Sequence, residues 1–215
     1  MLRTSAAALM GAYAMGPRYG LAADIPMEYD GSKFQMAPAE ANPKRGGVLK
    51  FGILNRPPHF DVHQSGTIGS LGTQGCMFDN LIRRDPRDSG KTIVPDLAHS
   101  WEISKDGKTY TLKIRQGVKF HDGSTFNADA VIFSIDRALD DKSPAFDRLG
   151  RGMLIAALWP LIGYRKIDEY KVELQTKGVD TVMPSLLNRF PITSPANFAK
   201  VGQDWQADRK SPSGT

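Results

Sequence analysis

The stretch from Val94 to Arg137, VPDLAHSWEISKDGKTYTLKIRQGVKFHDGSTFNADAVIFSIDR, constrains the fold more than any other part of the chain. Pro95-Asp96 opens a turn, after which Leu97, Ala98 and Trp101 present a short apolar face. Asp106-Gly107 supplies the positive φ angles of a tight hairpin turn. In the following TYTLKIR, Tyr110, Leu112 and Ile114 alternate with Thr111, Lys113 and Arg115, the period of a half-buried strand. Gln116-Gly117 breaks that strand, Val118-Lys119-Phe120 resumes the alternation, and Asp122-Gly123 turns the chain again. Asn127 is placed to cap a helix, although Ala130 stands where a full capping box carries Glu or Gln. Ala130, Val131, Phe133, Ser134 and Ala138 then predict a helix that buries one face. These features define an α/β segment.

The flanks are read by the same rules. Gly46-Gly47 releases a predicted strand, Val48 to Ile53, which Asn55-Arg56-Pro57-Pro58 ends. Glycines recur at 66, 69, 72 and 75, a turn leading into a helix whose end is expected near Met77 to Ile82. Ser143 to Gly163 is a mixed apolar stretch interrupted at Trp159-Pro160, and Ile167 to Thr176 is expected as one strand. A short helix is predicted from Thr181 to Phe190, with Pro184 in its first turn, and a last helical turn or two from Ala196 to Val201. The tail from Asp208 to Thr215 is polar and expected to be unpaired.

The chain has 215 residues, 40% hydrophobic and 24% charged, enough for one medium domain or two small ones. Its net charge of +5 comes without a basic stripe interleaved with aromatics, so the pattern does not point to nucleic acid. Cys76 is the one cysteine, so neither an internal disulfide nor a cysteine-based zinc site is available. It is expected to be a small buried apolar side chain. At the N-terminus, Arg3, a small-residue run from Ser5 to Gly16 and an exit at Leu21-Ala22-Ala23 are the parts of an export signal, giving residues 1–23 that role. Residues 24–45 show no period and are expected to be a flexible linker.

Taken in order, these pieces closely resemble the signature region of the peptide/nickel-binding family of bacterial solute-binding proteins, family 5, which serve ATP-driven ABC importers. Val94-Pro95-Asp96-Leu97-Ala98, Trp101, Gly117 to Gly123 and Phe126 carry the likeness best. Phe60-Asp61-Val62-His63 resembles the family's Leu-Asp-Pro-His, with Val62 for the proline. Phe78-Asp79-Asn80-Leu81 resembles its Tyr-Glu-Gly-Leu, keeping the acidic position and losing the glycine. Asp168 to Val172 and Pro191 to Pro195 match two further family segments, and Ser211 to Thr215 stops inside a third.

The resemblance implies an α/β, periplasmic-binding-protein-like lobe of type II, cluster C, with a mixed sheet and flanking helices. Residues 46–215 would form the N-terminal part of a larger solute-binding domain, the first lobe with its inserted subdomain. Exposed apolar surface and unpaired strand edges are expected where the remainder would pack. It implies an exported receptor, periplasmic or surface-associated, and not an enzyme. That receptor would be monomeric at full length and would need no cofactor. It would capture a small solute, an oligopeptide or dipeptide before nickel, sugars or opines, and deliver it to an ABC permease. The family's ligand-bordering loop falls on Leu54, Asn55 and Arg56, and its Ser-Pro-aromatic segment on Ser143-Pro144-Ala145-Phe146, which nominates Phe146.

Rival chemistries are also written in the residues. His59, Asp61 and His63 would share one face of a strand, and two imidazoles with a carboxylate suit a divalent metal, so a metal-dependent hydrolase is an alternative. Asp122, Asp129 and Asp136 recur at a seven-residue spacing that, with His121, suggests a hydrolase, but the Asp122-Gly123 turn and a solvated helix face explain them better. The glycine run lacks the spacing of a phosphate loop, and Ser70 lacks the setting of a nucleophile elbow. A one-lobe interaction module is the remaining alternative.

Overall fold

The computed structural model describes residues 28–30, 42, 44, 46–48, 50, 52, 53 and 55–215. The expected export signal at 1–23, most of the expected linker and Leu54 lie outside the described residues.

In chain order the elements are strand β1 (Glu28–Asp30), helix α1 (Ile68–Gln74), β2 (Ile82–Arg84), β3 (Ile93–Pro95), β4 (Ala98–Ile103) and β5 (Thr109–Ile114). There follow α2 (Ala128–Leu139), α3 (Arg148–Leu158), β6 (Leu161–Asp168), β7 (Lys171–Thr176), α4 (Met183–Leu187), α5 (Pro195–Lys200) and α6 (Trp205–Asp208). The main sheet has the order β1-β4-β5-β7-β6, and β2 and β3 form a separate pair. Every strand pairing among the described residues is antiparallel, so the parallel component of a mixed sheet is not among them.

The Asp106-Gly107 turn works as its sequence predicts. Gly107 takes φ +69°, Ser104 Oγ accepts from Thr109 N–H at 2.9 Å, and Trp101 is set opposite Leu112. Tyr110, Leu112 and Ile114 point inward and are buried, as are Val172 and Leu174 on neighbouring β7. Asn127 caps α2 by accepting from Asp129 and Ala130 N–H, and Val131, Ser134, Ile135 and Ala138 form the helix's buried stripe. That stripe packs with α3 and against β6 and β7. Each large apolar side chain buried there stabilises the fold by roughly 1.5–3 kcal/mol before entropy is counted. A second, smaller cluster joins Ala145, Phe198 and Trp205 with Phe133.

Elsewhere tertiary context redirects the local pattern. The glycine run contains the helix rather than leading into it: Thr67 caps α1, Gly69 and Gly72 lie within it, Gly75 ends it, and Gly69 sits where an added Cβ would meet the Asn55 carbonyl oxygen at 2.5 Å. Ile82 ends no helix but begins β2, which pairs with β3. The expected single strand at 167–176 is a hairpin, with the end of β6 and all of β7 joined through Glu169-Tyr170, and Asp168 accepting from Tyr170 N–H. Val48, Lys50, Gly52 and Ile53, within the expected strand at 48–53, carry no strand structure, and Val48 is 85% exposed. An apolar alternation forms a strand only where a neighbouring strand receives its hydrogen bonds, which the pattern alone does not specify. Conversely, β1 lies inside the expected linker and pairs with β4. Cys76 is exposed rather than buried, because it follows the C-terminus of α1 and its thiol reaches back to the Thr73 carbonyl.

The tail is bound, not loose. Ser213 and Gly214 are buried, the Gly214 carbonyl accepts from His121 N–H, and the Ser213 carbonyl accepts from Ser194 N–H. An added Cβ on Gly214 would lie 1.9 Å from the Met77 carbonyl oxygen, so glycine is required by close approach of two backbones.

Candidate functional site

The segment that follows Pro57-Pro58 is not a strand, and it separates the roles of His59, Asp61 and His63. Asp61 turns inward and its Oδ1 accepts from the backbone N–H of His63 and Gln64. Its Oδ2 meets Arg137 Nη2 at 2.5 Å. Arg137 also donates to Asp147 Oδ2 from Nη2 at 2.7 Å, and its Nη1 lies 3.2 Å from His63 Nδ1. Its guanidinium carbon stands 3.5 Å from the centre of the Trp205 ring. One fully buried arginine thus ties the 61–64 turn, the start of α3 and helix α6 to α2. Such a cation is tolerated in the interior because two carboxylates neutralise it and its donors are engaged.

His63 completes this hub as a neutral ring. Its Nε2 donates to the Pro191 carbonyl at 2.7 Å, which leaves Nδ1 as the acceptor facing Arg137, and the ring stacks on Phe190. Burial first, and then the Arg137 charge, lower its pKa to about 4. A second proton would have to sit on Nδ1, opposite the guanidinium. At Asp147, burial pushes the carboxyl up, but the hydrogen bonds from Gln64 and Arg137 outweigh it and leave it below the usual carboxylate range. Asp208, packed nearby, is pushed up to about 6 by burial, against the hydrogen bond from Asn197.

His59 stands apart from this pair of side chains. It is half-buried, and its Nδ1 lies 3.2 Å from the Asp61 backbone N–H. The strand face that would have aligned His59, Asp61 and His63 on one metal does not form. Among the described residues no group of three or more His, Cys, Asp or Glu side chains is placed to hold a metal ion. Asp122, Asp129 and Asp136 diverge as well: Asp122 holds Ser124 and Ser194, Asp129 pairs with Lys166, and Asp136 accepts from Tyr164. Ser70 shares hydrogen bonds with the hydroxyls of Ser65 and Thr67 at the start of α1.

Beside the hub lies a cavity of about 530 Å³, within the range of small-molecule sites. Helix α1, helix α3 and the turn from Asn188 to Pro191 enclose it, and His63 lies in its wall. Leu71, Phe78, Met153 and Leu154 make it largely apolar. Gln74 and Asn80, also in the wall, each keep a side-chain carbonyl oxygen that is buried and has no donor among the described residues.

Of the residues nominated by resemblance, Asn55 and Arg56 are exposed, and the Asn55 backbone abuts Gly69 on α1. Phe146 is half-buried and lines a different hollow, with Leu139, Asp141, Arg148 and Arg151. Arg137, the centre of the hub, was not anticipated. Its signal was present, since a charged residue on the buried stripe of an amphipathic helix requires buried partners.

A family model described as bacterial extracellular solute-binding proteins, family 5 middle, matches residues 92–215. Di/tripeptide-binding protein 1 of Pseudomonas aeruginosa is 35% identical over 160 residues, 66% of this chain and 28% of that protein. Di/tripeptide-binding protein 2 of the same species is 42% identical over 96 residues, 40% of this chain and 18% of that protein. The matches thus span under a third of these relatives' own length. Among solved structures, the oligopeptide-binding protein AppA from Bacillus subtilis, in complex with a nonapeptide, matches with a TM-score of 0.65 and 25% identity, over 80% of this chain and 33% of that one. The dipeptide-binding protein from Pseudoalteromonas sp. SM9913, in complex with Met-Leu, shares the fold with a TM-score of 0.65 and 24% identity, over 74% of this chain and 34% of that one.

Proposed function

Because the chain belongs to the bacterial extracellular solute-binding proteins of family 5, we propose that it is the N-terminal part of the substrate-binding component of an ABC-type importer, with a peptide as its solute. The observation that carries this reading is the 35% identity, over 160 residues, to a protein named for binding di- and tripeptides. The family match over residues 92–215 supports it independently. The buried charges of Arg137, Asp61 and Asp147 are spent on one another, an arrangement that holds a lobe together rather than one that attacks a bond.

In this reading residues 1–23 direct export, residues 24–45 link, and residues 46–215 supply one wall of a ligand cleft. Leu54, Asn55 and Arg56 border that cleft and Phe146 approaches the ligand from α2's far end. Closure around the peptide shifts the receptor toward a form that docks on a membrane permease. The receptor works in the periplasm, or at the cell surface of a single-membrane bacterium, and as a monomer.

The test is genetic. An amino-acid auxotroph lacking the gene should grow poorly when the required amino acid is supplied as a di- or tripeptide, and normally when it is supplied free. Unchanged growth on every di-, tri- and oligopeptide tried would overturn the reading. Isolated, the 215-residue chain should bind peptides more weakly than micromolar, since a cleft needs both walls. A micromolar affinity by calorimetry would contradict that geometry.

A further inference from the structure

We propose that the outer face of α3 is a self-association surface, on which a second copy of this chain lays its own α3 antiparallel about a two-fold axis. Leu149, Gly152, Met153, Ala156 and Trp159 make the contact, and each Arg148 lies against the far end of the partner helix. The proposal goes beyond the receptor reading and adds a weakly paired state to the monomer that captures solute.

This helix is apolar on both sides. Gly150, Leu154, Ala157 and Leu158 are buried and define its inner side. At about 100° per residue, the opposite side carries Leu149, Gly152, Ala156 and Trp159, with Met153 at its border. Leu149 is 62% exposed, Met153 45% and Trp159 65%, and Gly152 and Ala156 are exposed with them. From Gly152 to Leu158 no side chain is polar, and no acidic residue occurs between positions 148 and 167. A surface helix turns polar residues outward, and a helix that is apolar all round is one that becomes covered. Leu71 of α1 shares the cavity wall with Met153 and Ala156 and widens the exposed apolar face.

The spacing on this face is self-complementary. In an antiparallel pair centred on position 154, Gly152 of each copy meets Ala156 of the other, and Leu149 meets Trp159. The two small residues let the backbones approach, and the large ones close the ends. Arg148, in the first turn, then lies beside the partner's Trp159 ring and the negative end of its helix dipole, whereas parallel pairing would set Arg148 against Arg148. A lipid surface is a poorer match. The basic residues just beyond the helix, Arg165 and Lys166, are paired with Glu173 and Asp129, so free cations do not rim the face as they do on a lipid-binding helix. At about 200 Å² for a fully exposed large side chain, Leu71, Leu149, Met153 and Trp159 offer roughly 450 Å², and Arg148 with the small residues brings this to about 600 Å² per copy. Doubled, that reaches the low end for a specific interface, and so the pair is weak and reversible.

The experiment is sedimentation of the 215-residue chain over a concentration series, with tryptophan emission recorded in parallel. Trp101 and Trp205 are buried, so a change in emission reports Trp159. The chain should pass from monomer to dimer with a Kd on the order of 100 µM, and its emission should move to the blue as it does so. Gly152→Glu should weaken pairing at least about tenfold, by placing a charge where the two helices touch. An added Cβ at Gly152 meets nothing within 4 Å, so this variant keeps the monomer fold. Ala156→Lys should act alike, and an equimolar mixture of the two variants should pair again, because the antiparallel register brings the new opposite charges together. A chain that stays monomeric to about 1 mM, pairing that Gly152→Glu leaves unchanged, or a mixture that does not pair would each overturn the proposal. A blue shift produced by phosphatidylglycerol vesicles in a chain that sediments as a monomer would give the face to lipid and overturn it as well. Peptide capture is tested separately by the deletion strain and stands or falls apart from these outcomes.

Discussion

Replacing Arg137 with methionine removes the cation and keeps most of the side-chain volume. Asp61 and Asp147 then remain in place with 1% and 8% of their side chains exposed and no counter-charge from the hub. Breaking a buried ion pair from one side costs about 3–5 kcal/mol, and losing the guanidinium over Trp205 adds about 1 kcal/mol or more. The expected loss of about 4–6 kcal/mol is comparable with the whole stability of an ordinary domain, about 5–15 kcal/mol. Arg137→Met should therefore be marginal or unfolded. The reasoning assigns most of this loss to stranded charge. Adding Asp61→Asn and Asp147→Asn should then restore at least about 2 kcal/mol, because replacing a whole buried ion cluster is far less damaging than breaking it. Asparagine also keeps the Oδ1 that accepts from the His63 and Gln64 N–H groups and the one that caps α3 at Leu149. Urea unfolding followed by tryptophan fluorescence reads both changes. A loss under about 1 kcal/mol for Arg137→Met, or a triple variant no more stable than the single, would refute the account.

The neutral His63 predicts a pH dependence of definite sign. Its folded value of about 4 lies below the ordinary histidine value of 6.5, so its contribution is present above pH 6.5 and is lost as pH falls toward 4. The wild-type advantage over His63→Asn should shrink by roughly 3 kcal/mol across that window in pH-dependent urea unfolding, and a constant difference would refute it. Asp208, raised to about 6, has the opposite sign: its destabilisation grows as pH rises from 3.8 to 6, so Asp208→Asn should flatten the loss of stability over that interval. Gly214→Ala should lower the melting temperature by the equivalent of about 1–3 kcal/mol, since its Cβ has no room beside Met77, and an unchanged melting curve would place the tail elsewhere. Exposed Cys76 should react with a thiol reagent in the folded chain as completely as in the urea-unfolded one.

Local features were legible because their causes are local. The Asp106-Gly107 turn, the alternation of Tyr110, Leu112 and Ile114, and the Asn127 cap each depend on neighbours within a few residues, and all three are present. The hairpin of β6 and β7 was harder to read, because Glu169-Tyr170 turns without Gly, Pro, Asn or Asp between its strands. The exposure of Cys76 was hidden for a related reason: burial belongs to a surface, and the chain around position 76 carries no period that locates one.

The family order of motifs and the α/β class were thus determined by the sequence alone, since turns, periods and caps are written in consecutive residues. The hub and the cavity were decided only by the tertiary structure. Arg137 meets Asp61 across a separation of 76 positions and His63 across 74, and no local rule links such residues. The same holds for Gly214, whose need for glycine arises from the Met77 carbonyl far upstream. Gln74 and Asn80 are ordinary polar residues in the sequence. They become unpaired acceptors only because folding takes their oxygens out of water without supplying a donor among the described residues.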